Sequence, residues 1–439
     1  MKHSILLVLS SIFLLQITKA QQPKNLTLDV AVKLSLAYSK QLKLNETKIL
    51  TAANAVKEAQ ERKLPDANVT GAYLYLPVKP NIDLKTSSNN NNGGTTTSSP
   101  NVNQAIYGMA NVSLPLYAGG KINYGIESAK YLEQAVKLDA DNDKEAITMN
   151  VINACISLYK TYQAIELVKE NLKTSEQRVT DFTNLEKNGV LARNDLLKAQ
   201  LQSSNIELAL LDAESNYKIA SVTMNLLMGL PEETELIPDR AGLALPTALQ
   251  TLEDYEKDAL QNRKDISALS FRKKAATVGV KNAKADYYPN IALTGGYVAA
   301  DIPKFLTVTN AVNIGIGVKY NLSSLWKTKT KIEQANNQVQ QLQLTEELLN
   351  DNIKLQINQA YQTYLVATKK IEVYEKAVTQ ATENYRITKN KNDNSLATTT
   401  ELLDADVALL QTKLSVTNAK ADAFLAYNKL LLASGILKY

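Results

Sequence analysis

Two carboxylates, Glu401 and Asp404, stand three residues apart in Thr398-Thr-Thr-Glu401-Leu-Leu-Asp404. Thr-x-x-Glu is the spacing of a capping box, in which hydroxyl and carboxylate satisfy each other's free amides at a helix start. The pair is therefore expected on one face of a first helical turn, where negative charge opposes the positive end of the helix dipole. A second charged pair, Asp195 and Lys198, follows Asn188-Gly189 in the same way and reads equally well as a solvated helix start. Neither pair has an acid–base partner. The single histidine, His3, sits in the first residues of the chain, so Ser-His and His-metal chemistry are not expected in the mature protein.

The lone Cys155 can form no internal disulfide and reads as a small core residue on a helix. Gly93-Gly94 lies in low-complexity sequence and Gly119-Gly120 lacks the spacing of a nucleotide-binding loop. No catalytic site, cofactor or metal centre is expected. Lys2 and His3, an apolar run from Ile5 to Ile17 and Thr18-Lys-Ala20 have the layout of a secretory signal over residues 1–20, with cleavage before Gln21. Because no cysteine stands at that junction, N-terminal lipidation is not expected. Removing Lys2 and Lys19 from the 49 basic residues leaves 47 against 44 acids, a net charge of about +3. That balance implies no nucleic-acid partner. No run is long and apolar enough for a membrane helix, which needs roughly 20 residues.

These charged turns must be positioned by a chain that repeats itself. Arg62-Lys-Leu-Pro65-Asp-Ala-Asn-Val-Thr-Gly71-Ala-Tyr73 reappears as Asp286-Tyr-Tyr-Pro289-Asn-Ile-Ala-Leu-Thr-Gly295-Gly-Tyr297. A constant shift pairs Leu28 with Leu252, Ala52 with Ala276 and Val56 with Val280; a shorter one pairs Val112 with Val318, Asp195 with Glu401 and Gly229 with Gly435. The residues lost lie between the two strands of each unit, where Lys85 to Gln104 is nearly all Ser, Thr, Asn and Gly and reads as a solvent loop. The expected organisation is a first repeat over 21–249 and a second over 250–439. In each, proline ends a helix, at Leu64 and Tyr288, and the period falls from 3.6 to 2.

After Pro65 a strand is expected near Ala67 to Leu76, and a second carries Ile106, Gly108, Ala110, Val112, Leu114 and Leu116 on one face. In the second copy Val312, Ile314, Ile316, Val318, Tyr320 and Leu322 alternate with Asn313, Gly315, Gly317, Lys319 and Asn321. Strands of about ten residues, apolar on one face and small or polar on the other, suit a membrane β-barrel with lipid outside and water inside. A soluble sandwich would need the apolar face buried.

Helices fill the rest. Leu28 to Leu64 reads as one helix of roughly 55 Å, and Lys121 to Asn188 and Trp326 to Asn392 as helices of roughly 100 Å each. Ile353, Ile357, Ala360, Tyr364, Ala367 and Ile371 keep alternating four- and three-residue spacing, as do Val151, Leu158, Ile165, Leu172 and Val179 at seven, the pattern of left-handed coiled-coil packing. Taken alone this also fits a solvated dimeric stalk. Ala192 to Gly229 reads as a shorter helix, and Leu230 to Pro246 as an irregular connector.

This order of signal, helix-Pro-strand repeat, paired long helices and repeated turn-Asp/Glu-Leu-Leu segments resembles the TolC-like outer-membrane efflux proteins over essentially the whole mature chain. The resemblance rests most on Tyr288 to Tyr297, Asn188 to Gln200 and Ser395 to Asp406. It implies a mainly α fold with a membrane β-barrel: long antiparallel helices forming a periplasmic α-barrel, and four strands per protomer in a 12-stranded barrel shared by a homotrimer. It implies an exit duct in the outer membrane for efflux or type I secretion, working with a periplasmic adaptor and an inner-membrane transporter. Four strands with open edges independently require partners, because lipid cannot satisfy free backbone groups. Members of the family constrict the tunnel with two acids at positions matching Glu401 and Asp404, and Asp195 and Lys198 mark the corresponding tip where an adaptor or transporter would dock. The family's closed state also uses a tyrosine and an arginine, but Asn392 and Ala397 occupy those places, so that lock is not carried over. The competing reading is a periplasmic coiled-coil adaptor or scaffold without its own barrel.

Overall fold

The computed structural model describes residues 24–78, 102–239, 244–246, 248–303 and 305–438. The expected signal, the start at Gln21 and the polar loop up to residue 101 lie outside the described residues. The elements in order are β1 (Lys24–Leu26), α1 (Leu28–Tyr38), α2 (Lys40–Glu61), β2 (Asp66–Tyr75), β3 (Gln104–Ala118), α3 (Lys121–Lys187), α4 (Arg193–Met228), β4 (Leu236–Pro238), α5 (Leu252–Asn262), α6 (Lys264–Lys284), β5 (Asn290–Ile302), β6 (Leu306–Lys319), α7 (Ser324–Asp393) and α8 (Thr399–Ala433). They divide into two compact units that cut across the sequence repeat. One comprises Thr47–Lys137 and Ser267–Glu347; the other takes residues up to Glu46, Leu138–Ile266 and the chain from Leu348 onward.

The first of these units holds an antiparallel sheet in the order β2-β3-β5-β6, so the hairpins of the two repeats join through β3 and β5. Its register gathers the apolar residues on one face. Val112 stands opposite Ala67 and Gly295, Gly295 opposite Ile314, and Leu293 lies between Leu114 and Ile316. The other face carries Asn68, Asn111, Gly296 and Asn313 in one row. Nothing among the described residues covers the apolar face: Val69 is 85% and Ile314 81% exposed. Exposed tyrosines stand at both ends of the strands, Tyr73 and Tyr75 by the hairpin connections and Tyr117, Tyr288 and Tyr320 by the helices. Pro115, which has no amide hydrogen to give the ladder, coincides with a register shift against β5.

At the helix-linked end, Pro65 and Pro289 do what the sequence requires. α2 stops at Glu61, and α6 tightens into a 3-10 turn over Ala285–Tyr287 before β5. Gly119 has φ +61, and a Cβ there would lie 2.7 Å from the Ala285 carbonyl oxygen, so the β3–α3 turn of one repeat passes against the junction of the other. Lys121 and Lys331 both pair with Asp286. Burial works against the charged form of Asp286, but the two ammonium groups prevail and hold its carboxyl below the ordinary value.

The helical unit is knitted by the expected seams. Val151, Leu158, Ile353 and Ile357 are almost fully buried, and Ile165, Tyr364 and Ala367 are buried beside them. Two expectations need correction. The stretch from Leu28 to Leu64 is two helices, because Ser39 leaves helical geometry at ψ 117 and its hydroxyl caps the next helix by accepting from the Leu42 amide at 3.3 Å. Arg263 makes the same break between α5 and α6. The connector after Leu230 is not wholly irregular, since β4 pairs in parallel with β1. Asn225 draws this segment in by donating to the carbonyls of Glu232 and Thr234, and the Tyr217 hydroxyl donates to the Leu236 carbonyl at 2.6 Å. Three-residue strands are too short to show a period.

The two breaks and two glycines belong together. Gly229, which caps α4 at φ +68, packs against Tyr38 at the first break; Gly435, beyond α8 at φ +68, packs against Asn262 and Arg263 at the second. A Cβ on Gly229 would lie 2.8 Å from Cγ and 2.9 Å from Cβ of Tyr38, the root of that side chain, and one on Gly435 would lie 2.9 Å from the Arg263 backbone nitrogen. Gly229→Ala and Gly435→Ala are therefore each expected to cost more than the about 1–2 kcal/mol of left-handed strain alone. Thermal unfolding of the two variants checks both.

Candidate functional site

The two helical hairpins end in turns of one design. α3 is closed by Gly189 at φ +74, with the Val190 amide donating to the Leu185 carbonyl at 2.9 Å. α7 is closed by Ser395 at φ +60, with the Leu396 amide donating to the Lys391 carbonyl at 2.7 Å. This is the left-handed C-terminal cap that glycine adopts without strain. Asn392 and Ala397 hold each other across the second turn, the Asn392 amide group donating to the Ala397 carbonyl at 3.0 Å.

Glu401 completes the expected capping box. The Thr398 amide donates to its carboxylate at 2.7 Å and the Glu401 amide donates to the Thr398 hydroxyl at 3.2 Å. The backbone hydrogen bond first, then the Thr398 hydroxyl, hold the Glu401 carboxyl below its ordinary value. A lowered folded value means that this capping contribution is present above the ordinary carboxylate range and disappears as pH falls through the lowered one. Asp404 is exposed and has no hydrogen-bond or ion-pair partner among the described residues. Lys198 donates to Asp195 at 3.3 Å and to the Thr400 hydroxyl at 3.3 Å. The pair on the first hairpin is thus brought against the start of the helix that bears Glu401.

Sequence reasoning missed the charge pair beneath them. Arg178 on α3 and Asp406 on α8 form an ion pair at 2.9 Å, with only 8% and 5% of their side chains exposed. Asn171 donates to the second Asp406 oxygen at 3.1 Å, and Arg178 also donates to the Tyr385 hydroxyl at 3.1 Å. Asp406 ends the repeated segment from Ser395, and Tyr385 continues the four- and three-residue spacing beyond Ile371; the available signal was Arg178 next to the seam residue Val179, a cation where a core is expected. A cleft of about 800 Å³ opens beside this cluster, lined by Arg178, Asp195, Lys198, Tyr385 and Thr398 among others.

The sequence profile of the outer membrane efflux protein family matches residues 38–230 and 256–436, one stretch in each repeat. The chain belongs to the outer membrane efflux protein family. It is 23% identical over 323 residues to the outer membrane efflux protein BepC of Brucella suis biovar 1 (strain 1330), covering 73% of this chain and 70% of that protein. Its fold superposes on the outer membrane protein VceC of Vibrio cholerae with a TM-score of 0.73 at 19% identity, over 93% of this chain and 96% of VceC. The MtrE channel of Neisseria gonorrhoeae, solved in its open state, gives 0.71 at 16%, over 94% and 89%. This efflux protein is therefore an outer-membrane channel of the tripartite kind, and not an enzyme. The adaptor alternative fails on the same grounds, and on the uncovered apolar sheet.

In this channel, Asp406→Asn is expected to destabilise the helical unit by about 3–5 kcal/mol, because it strands a buried guanidinium. Arg178→Leu combined with Asp406→Leu should recover most of that loss in denaturant titrations. Ser395→Gly relieves left-handed strain and is expected to stabilise the second tip by about 1 kcal/mol, read as slower proteolysis between Asn392 and Ala397.

Proposed function

We propose that three copies of the chain close a 12-stranded barrel and a helical tunnel, forming a passive exit duct for efflux or type I secretion. The carrying observation is the sheet: one face is apolar and uncovered, and β2 and β6 leave unpaired edges that lipid cannot satisfy. A further support lies on α4, where Leu197, Leu201, Leu208, Leu211, Ile219 and Leu226 form an exposed stripe at helical spacing, suited to a neighbouring copy. The polar connection between β2 and β3 would face the exterior, since both helical ends lie at the other end of the strands. The repeat boundary at 249/250 is part of the same proposal.

Energy and cargo choice come from an inner-membrane transporter, joined through a periplasmic adaptor at the hairpin tips. Asp195 and Lys198 are the proposed docking residues, since they rim the cleft between the two hairpin ends. Glu401 and Asp404 are the proposed constriction: repeated about a threefold axis, they make an acidic ring that attracts cations.

Since Glu401 also caps α8, the ring is tested by leaving the cap intact. Asp404→Asn, alone and with Glu401→Gln, is expected to lower cation selectivity and sensitivity to polyvalent cation block in single-channel recordings. Variants that assemble as trimers and keep both properties would reduce the two acids to helix-start charges. A particle mass other than that of a trimer in detergent would sink the duct as proposed.

A further inference from the structure

The apolar face of the sheet does not end where β6 ends. Val312, Ile314, Ile316 and Val318 continue at the same period through Tyr320 and Leu322, all exposed, and the chain then turns into α7 with Leu325 and Trp326 exposed as well. Ser324 and Thr328 are the buried residues of that first turn, so Trp326, 65% exposed, points away from the packed side. At 100° per residue Lys327 and Lys329 fall on either side of the indole. Their ammonium groups are free to act outward: Lys327 has no ion-pair partner among the described residues and Lys329 reaches Glu333 only at 4.0 Å, whereas Lys331 is held by Asp286 at 2.7 Å.

We propose that this start of α7 is a binding surface for anionic phospholipid headgroups in the leaflet on the helix side of the membrane. The inference rests on the reading that the strands cross the membrane with this face in lipid. An indole flanked by lysines, continuous with a lipid-facing strand, puts an amphipathic ring at headgroup depth and two cations where phosphate lies. Charge complementarity selects the anionic lipid over a zwitterionic one.

Trp326 is the single tryptophan of the chain, so its fluorescence reports on this surface alone. The full chain is reconstituted in vesicles of phosphatidylcholine with and without phosphatidylglycerol, one of the two lipids carrying bromine near the headgroup, and insertion is followed by conductance. Trp326 is expected to be quenched in conducting channels, and more strongly when phosphatidylglycerol carries the bromine. Lys327→Gln and Lys329→Gln should each reduce that preference roughly fivefold with conductance unchanged. Equal quenching by both lipids, or none in channels that conduct, overturns the proposal; the second result gives the surface to a neighbouring copy. Failure to insert in any vesicle instead overturns the membrane-crossing reading, and the proposal with it.

Discussion

A backbone amide in lipid has no water to turn to, and the sheet is organised around that constraint. Each repeat supplies one hairpin, too small to stand alone. Joining the hairpins through β3 and β5 removes two of four edges and leaves β2 and β6 at the margins. The same constraint fixes which face is which. A register slip of one residue would carry Ile314 and Val112 to the side now held by Asn313 and Asn111. Bulk is absent from the polar face where asparagines meet: a Cβ on Gly296 would lie 3.0 Å from the Asn313 side-chain oxygen and 3.1 Å from that of Asn111.

The helical unit inherits the duplication in its turns and departs from it in the buried pair. Glycines 229 and 435 pack against equivalent breaks, and Gly189 and Ser395 close equivalent turns. The buried pair has no such counterpart, because the shift that matches Val179 to Tyr385 puts Asn384 opposite Arg178 and Gln200 opposite Asp406. Buried ion pairs contribute little net stability against an apolar replacement. This one ties the two hairpins together, since Arg178 lies on the first and its carboxylate on the second.

Much of this was legible in the chain. Pro65 and Pro289 mark changes of period that any helix must obey, and the alternation from Val312 to Leu322 allows one face to be read without coordinates. The coiled-coil seams were equally plain, because a periodic apolar row needs no knowledge of its partner. The features that escaped were those without a local period. Ser39 and Arg263 break helices in sequence that has good helical propensity throughout, and β1 and β4 are three residues each. The Arg178–Asp406 pair joins residues far apart in sequence, and each alone resembles surface charge. The bond from Asn392 to Ala397 was hidden for a different reason: those positions drew notice for what they lack, not for what they do together.

The capping box bears on how an acidic ring at the tips would behave. Brought round a threefold axis, six like charges must be relieved by bound cations or by protons. Glu401 yields to protons with difficulty, because its ionised form accepts the Thr398 amide and hydroxyl and its affinity for a proton is already lowered. Asp404, one turn along, is exposed and without a partner among the described residues. In a ring of the proposed kind Asp404 is the acid left open to a passing cation, while Glu401 is engaged in holding the helix start. In such a ring the two acids do different work: one fixes the geometry, and the other responds to what passes.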